Sequence, residues 1–278
     1  MEILMNQYKL IAFDMDGTLL NSEKKISPET LASIHHAFAV GKEVVLSTGR
    51  CLPELQEYLS LIPELRYIVC TSGALVYDMK EKQAIYSNAL AEETVKQIIE
   101  ISRMEDVMLH FLTTESIVER DKVSHMQDYE MGIYQLMFQK TTRKVDDIAA
   151  YFLSHPSPIE KINIYHTDPE ARSRTMNRLK KYPLELIFAE SSSLECSSIG
   201  ATKGNGLQKL CDHLHISMAE VIAVGDADND LDVLGRAGLS IAMENANPNV
   251  RRLCKVTVAD NDHNGCKEAI DHYLLRQQ

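Results

Sequence analysis

The sequence predicts an α/β protein: a doubly wound parallel sheet interrupted by an inserted α+β domain. Three observations carry that expectation. Short apolar runs alternate with helix-period segments at both ends of the chain, the pattern of strand–helix–strand units. Two of those runs, ending at Phe13 and Val224, lead straight into carboxylate-rich turns, where open α/β sheets place their ligands. The middle of the chain instead mixes helices with paired strands.

Tyr8–Phe13 reads as a buried parallel strand, because such strands are apolar on both faces. Ser27-Pro28 supplies an N-cap and an N1 proline for a helix over Glu29–Val40, and Gly41 follows it. Strand Glu43–Ser47, a helix near Pro53–Leu61 and strand Tyr67–Thr71 come next. Leu75–Asp78 and Ala84–Tyr86 form a hairpin around the polar turn Met79–Gln83. In the middle, helices fit Glu92–Arg103, Val145–Ser154 and Pro169–Lys181. Strands there fit Val107–Leu112, Ser116–Glu119, Ile159–His166 and Leu184–Phe188. Alternation then resumes: helix Lys203–Leu214, strand Val221–Val224, helix Asn229–Ala237, strand Leu239–Ala242, helix Pro248–Leu253, strand Lys255–Val258 and helix Gly265–Leu275. The expected division is a core of residues 1–86 and 191–278 interrupted by an α+β insert, 87–190.

The 278 residues carry 29 Lys+Arg against 40 Asp+Glu, a net charge of −11. That balance argues against nucleic acid as the main partner, which calls for a basic surface. No apolar stretch approaches a membrane span, and Met1–Phe13 has neither the basic region nor the small-residue cleavage site of a leader. The six cysteines are scattered without a C-x-x-C pair. They read as small core residues, and the expected location is the cytoplasm.

Chemistry concentrates in four segments. Asp14-Met15-Asp16-Gly17-Thr18 puts two carboxylates and a glycine turn after the first strand. The carboxylates suit a hard cation, and the turn N–H groups, Gly17 among them, suit an anion; alone, the segment is also an ordinary strand-ending turn. Gly225-Asp226-Ala227-Asp228-Asn229-Asp230 imitates an EF-hand loop, but Leu231 and Ala237 stand where that loop needs Gly and Glu. Mg²⁺ suits such a cluster better. Ser47-Thr48-Gly49-Arg50 ends the second strand with a hydroxyl, a glycine and a cation, and Thr202-Lys203-Gly204 opens a helix with a lysine, where an anion is favoured. Arg50 is expected either on the substrate or insert, or in a surface salt bridge. Neither His35-His36 nor His213-x-His215 brings a third metal ligand, and there is no G-x-S-x-G.

Taken in chain order, the four segments resemble the motifs of the haloacid dehalogenase (HAD) superfamily. Ser72-Gly73-Ala74-Leu75-Val76-Tyr77-Asp78 and Ala242-Met243-Glu244-Asn245-Ala246-Asn247-Pro248, with the insert, resemble its Cof-type phosphatases. The resemblance implies a Rossmann-like core with an inserted cap that sets specificity. It makes Asp14 the nucleophile that becomes an aspartyl-phosphate and Asp16 the general acid/base. Thr48 and Lys203 hold the phosphoryl oxygens, with Gly17 and Arg50 added to the phosphate-binding set. Mg²⁺ falls to Asp14, the Asp16 carbonyl and Asp226, supported by Asn229 and Asp230. Ser72 replaces the usual Asn, Glu244 a Gly, and Cys266 a Val; these and Asp228 have no assigned role.

The implied activity is Mg²⁺-dependent hydrolysis of a small phosphate monoester, such as a sugar phosphate, FMN or pyridoxal phosphate. A phosphomutase using the same aspartyl-phosphate and a non-catalytic phosphometabolite sensor are the alternatives. Either a monomer or a homodimer is compatible with the sequence.

Overall fold

The computed structural model describes residues 8–189 and 191–275. Residues 1–7, part of the segment read above as lacking a leader, lie outside the described residues. In chain order the strands are β1 (Leu10–Phe13), β2 (Glu43–Ser47), β3 (Tyr67–Cys70), β4 (Leu75–Asp78) and β5 (Gln83–Ser87), then β6 (Val107–Leu112), β7 (Ser116–Glu119) and β8 (Arg143–Val145). They continue as β9 (Lys161–His166), β10 (Leu184–Ala189), β11 (Ser193–Ser198), β12 (Val221–Gly225), β13 (Leu239–Met243) and β14 (Val256–Val258). The chain divides into two units. One comprises residues up to Gly49, Glu57–Tyr86 and everything from Thr202 onward; the other comprises Arg50–Gln56 and Ser87–Ala201.

The first unit is the expected α/β fold. Its sheet runs β14-β13-β12-β1-β2-β3-β4-β5, parallel from β14 to β3 and antiparallel at β3–β4. Every residue of β1, β12 and β13 is buried, which is why these strands are apolar but for Ser240 in β13. Helix Pro28–Ala39 starts at Ser27, whose side chain accepts from the Thr30 N–H. Helix Lys203–Leu214 starts at Thr202, which accepts from Asn205 N–H at 3.2 Å.

The second unit is α+β. Its sheet runs β10-β11-β9-β6-β7-β8, antiparallel except for β7–β8. One face is apolar: Leu109, Phe111, Ile162, Ile164, Leu194 and Cys196 pack in one core with Ile98, Phe152 and Leu179 from the helices. The alternate residues of β6 and β9 point the other way. There His110, Lys161 and Asn163 are buried beside a smaller core that includes Met108, Tyr165 and Phe138.

The structure moves several expected boundaries. Ser193–Ser198 pairs with β9 and β10, so the second unit runs to Ala201 rather than 190. Leu194 and Cys196 alternate inward with period two, a signal masked by the strand's three serines. Residues 50–56 also belong to the second unit. Val145 ends a strand, and the helix begins only at Ile148, because Asp147 caps it by accepting from the Ala149 and Ala150 N–H groups. The expected helix Pro53–Leu61 is a 3₁₀ turn, Leu52–Leu55, continued by one α-turn, Gln56–Leu59. The helices Arg120–Ser124 and Gln135–Thr141 were not foreseen; both are short.

Candidate active site

Parallel register builds the site. Phe13 pairs with Val224 on one side and Leu46 on the other, so Asp14, Asp226 and Thr48 leave the sheet along one edge, at the carboxyl ends of the strands. Asp14 N–H donates to the Val224 carbonyl at 3.0 Å, and its own carbonyl accepts from Leu19 N–H at 3.2 Å. Thr48 is buried; its N–H donates to the Val69 carbonyl at 2.9 Å, and its carbonyl accepts from Ser72 N–H at 3.0 Å.

The centre is a buried ion cluster. Lys203, 2% exposed, reaches in from its helix start. Its Nζ donates to Asp14 Oδ1 at 2.5 Å and Asp230 Oδ1 at 2.7 Å. Asp230 in turn accepts through Oδ2 from the N–H groups of Asp226 and Ala227, at 3.1 and 3.2 Å. Thr18 Oγ1 donates to Asp226 Oδ1 at 2.9 Å. Gly17 is required here twice over: its φ is +84°, and a Cβ would lie 2.5 Å from Asp226 Oδ2.

Burial dominates the electrostatics. It pushes the Asp14 carboxyl up to about 7, with Lys203 opposing and Asp230 and Asp226 reinforcing. Asp226 is raised for the same first reason, with the Thr18 hydroxyl opposing. Burial works against the Lys203 ammonium, yet Asp14 and Asp230 outweigh it and hold its pKa above the ordinary lysine range. Carboxylate oxygens of Asp14, Asp226 and Asp230 all lie within 4.8 Å of one another. Three carboxylates against one ammonium make a hard, anionic donor set, and that set fits a hard divalent cation.

Asp16 differs from Asp14. Its side chain is 43% exposed and accepts from Lys24 Nζ at 2.9 Å. Asn229 is exposed at its turn, whereas Asp230 is in the cluster. Arg50 belongs to the second unit, where its charge acts on Glu54.

Several contributions were missed. Thr18 lies inside the first motif and could have been found there. Asn245 Nδ2 donates to the Gly17 carbonyl at 2.8 Å, pinning the same turn. Asp228, left without a role, accepts through Oδ1 from Asn247 Nδ2 at 2.9 Å and Asn249 Nδ2 at 3.0 Å, tying two loops together. Ser72 has φ 58°, a region Asn tolerates better than Ser; that accounts for the usual Asn there. Glu244 is exposed, and nothing in the structure explains its replacement of Gly.

Comparisons with known proteins agree with this geometry. A profile of the haloacid dehalogenase-like hydrolases matches residues 11–270. The chain is 29% identical over 271 residues to the 5-amino-6-(5-phospho-D-ribitylamino)uracil phosphatase YitU of Bacillus subtilis (strain 168), across 95% of this chain and 97% of that one. It is 26% identical over 275 residues to the HMP-PP phosphatase of Serratia proteamaculans (strain 568), across 96% and 94% of the two chains. A solved haloacid dehalogenase-like hydrolase from Bacteroides thetaiotaomicron aligns with a TM-score of 0.83 and 26% identity, across 95% of this chain and 98% of that one. With the ordered motifs, the parallel sheet and the carboxylate–lysine cluster in place, the chain belongs to the haloacid dehalogenase-like hydrolases of the Cof type.

Proposed function

We propose that this protein is a Mg²⁺-dependent phosphatase that hydrolyses a small phosphorylated metabolite through an aspartyl-phosphate on Asp14. The observation that carries the reading is the Lys203 ammonium bridging Asp14 and Asp230 beside Asp226. A phosphate dianion repels an anionic nucleophile, so attack needs fixed positive charge at the phosphoryl oxygens. Lys203 supplies one such charge. Asp14, Asp226 and the Asp16 carbonyl would hold Mg²⁺, which neutralises phosphoryl charge when bound.

In this reading Asp14 attacks phosphorus, and the leaving oxygen takes a proton from Asp16. Asp16 then takes a proton from the water that attacks the acyl phosphate, which restores Asp14 and releases phosphate. Thr48 donates its hydroxyl to a phosphoryl oxygen, with the Gly17 turn and Arg50 completing the anion contacts. Asn229 and Asp230 support the metal and Lys203. The second unit acts as the cap, selects the substrate and shields it from water. The named activities of YitU and the Serratia phosphatase support a phosphorylated sugar, sugar alcohol or heterocycle as the substrate class. No helix among the described residues is long and apolar enough to cross a membrane, and a cytoplasmic location is part of the same reading.

The test is phosphate release from a panel of phosphorylated metabolites with Mg²⁺, ranked by kcat/KM. Isomerised sugar phosphate without free phosphate would replace hydrolysis with a mutase. Absence of turnover across the panel, with the metabolites still bound, would leave a sensor.

A further inference from the structure

A second cluster of metal-ligating side chains lies wholly within the second unit. Cys51, Glu54 and His110 are all buried, and one sulfur, one oxygen and one nitrogen from them lie within 4.8 Å of one another. Cys51 caps the 3₁₀ turn Leu52–Leu55, and its N–H donates to Glu54 Oε2 at 3.1 Å. The other carboxylate oxygen, Oε1, faces His110 Nε2 at 3.9 Å. That separation is within about half an ångström of the edge of a tetrahedron with ~2.1 Å bonds.

The chemistry of the three groups is consistent. Burial, reinforced by the Lys161 charge, lowers His110 to about 3, so its imidazole is neutral and keeps a lone pair. With Nδ1 carrying the proton toward Tyr165 Oη, 3.4 Å away, that lone pair sits on Nε2, facing Glu54. This is the arrangement by which a neighbouring group orients a metal-bound histidine. In that tautomer the Ser116 hydroxyl, 2.7 Å away, donates to the same Nε2, a hydrogen bond that a bound cation would replace. Burial raises the Glu54 carboxyl, with the Cys51 N–H and the Arg50 and Lys161 charges opposing, while Lys161 is itself paired with Glu195 at 3.1 Å.

We propose that Cys51 Sγ, Glu54 Oε1 and His110 Nε2 form a metal site of their own, for a borderline-soft divalent cation of the Zn²⁺ class. One thiolate and one carboxylate balance the two charges of the cation, and the sulfur–nitrogen–oxygen set selects Zn²⁺ over the hard Mg²⁺ that suits the Asp14 cluster. Binding releases the Cys51 proton as the metal–sulfur bond forms. The occupied site fastens residues 50–56, which follow directly on the strand end bearing Thr48, to the β6 strand of the second unit.

The test uses the full-length protein in saturating Mg²⁺, dialysed to equilibrium against Zn²⁺ and, separately, Co²⁺. The expected result is one Zn²⁺ per chain and a thiolate-to-Co²⁺ charge-transfer band in the near ultraviolet. Both should persist in Asp226→Asn and vanish in Cys51→Ser, a near-isosteric change whose fold is checked by circular dichroism. His110→Gln should weaken Zn²⁺ at least tenfold. A Co²⁺ spectrum without the thiolate band, or Zn²⁺ binding equal in wild type and Cys51→Ser, would overturn the proposal. The readout is metal binding, so its failure is distinct from failure of the phosphatase reading.

Discussion

Replacing Lys203 with Met would separate the structural work of the lysine from the catalytic work proposed for it. The ammonium is 2% exposed and holds two carboxylates, Asp14 at 7% exposure and Asp230 at 1%. Methionine fills much of the same volume but leaves both acids buried without their cation. Breaking a buried pair from one side costs about 3–5 kcal/mol, and a unit of this size loses roughly 2–4 °C of Tm per kcal/mol. The expected drop is therefore on the order of 10 °C, measured in EDTA so that no added cation replaces the lost charge. The penalty should be smaller at pH 6 than at pH 8. Without Lys203 the Asp14 pKa, already raised by burial to about 7, rises further, and the acid escapes its cost by taking up a proton.

The double variant Lys203→Met/Asp230→Asn decides the matter. The introduced amide keeps a carbonyl oxygen that can still accept from the Asp226 and Ala227 N–H groups now served by Asp230 Oδ2, while one of the stranded charges is gone. Thermal stability should recover by at least half. Turnover should not, because a fixed donor at the phosphoryl oxygens contributes about 10²–10³ in rate. Recovery of kcat in parallel with Tm would refute the catalytic assignment and leave Lys203 as a purely structural cation.

Asp14→Asn should abolish phosphate release while leaving the circular dichroism spectrum unchanged; retention of a tenth of wild-type kcat would sink the nucleophile assignment. Excess EDTA should stop turnover and Ca²⁺ should restore it poorly, since its looser coordination misplaces the reacting oxygens. Asp16→Asn should cost about 10²–10⁴ in kcat on an alkyl phosphate and far less on p-nitrophenyl phosphate, whose leaving group hardly needs a proton; equal losses would remove the acid role. Glu160→Gln should flatten the pH dependence of Tm: burial raises Glu160 to about 7, against Ser87 donation to Oε1 at 2.8 Å. Its stabilisation is thus complete below about pH 4.5 and lost as pH rises through 7, up to about 3 kcal/mol, and an unchanged wild-type slope in the variant would contradict it.

What the sequence made legible follows from which interactions are local. Parallel strands buried on both faces are largely apolar, so β1, β12 and β13 announce themselves. The turns that follow them carry Asp14 and Asp226 because strand ends are where the chain can leave the sheet. Ser193–Ser198 gives no such signal. Its serines suit a loop equally well, and only pairing with β9 and β10 makes it a strand. Lys161 is the sharper case. Nothing within the expected strand Ile159–His166 marks it as buried, yet it is 1% exposed and paired with Glu195. That pairing comes from a neighbouring strand thirty-four residues away in sequence, and no local pattern encodes it.

The two acids of the first motif show the same limit within the site itself. Asp14 and Asp16 are two residues apart and chemically identical, and the sequence assigns them different roles only through resemblance. The structure supplies a physical difference. Asp14 is buried and held against Lys203, which fixes the direction of its carboxylate as the proposed nucleophile needs. Asp16 lies at the turn just before Gly17, partly in solvent and paired with the exposed end of Lys24, so it can exchange protons. In water an Asp with a pKa near 3.9 is protonated about 0.1% of the time at pH 7, a deficit of about 4 kcal/mol. Only loss of solvent and the approach of a phosphate dianion can close that gap. In the proposed mechanism an acid exposed by itself requires a covering element once substrate binds, and that is the part proposed for the inserted unit.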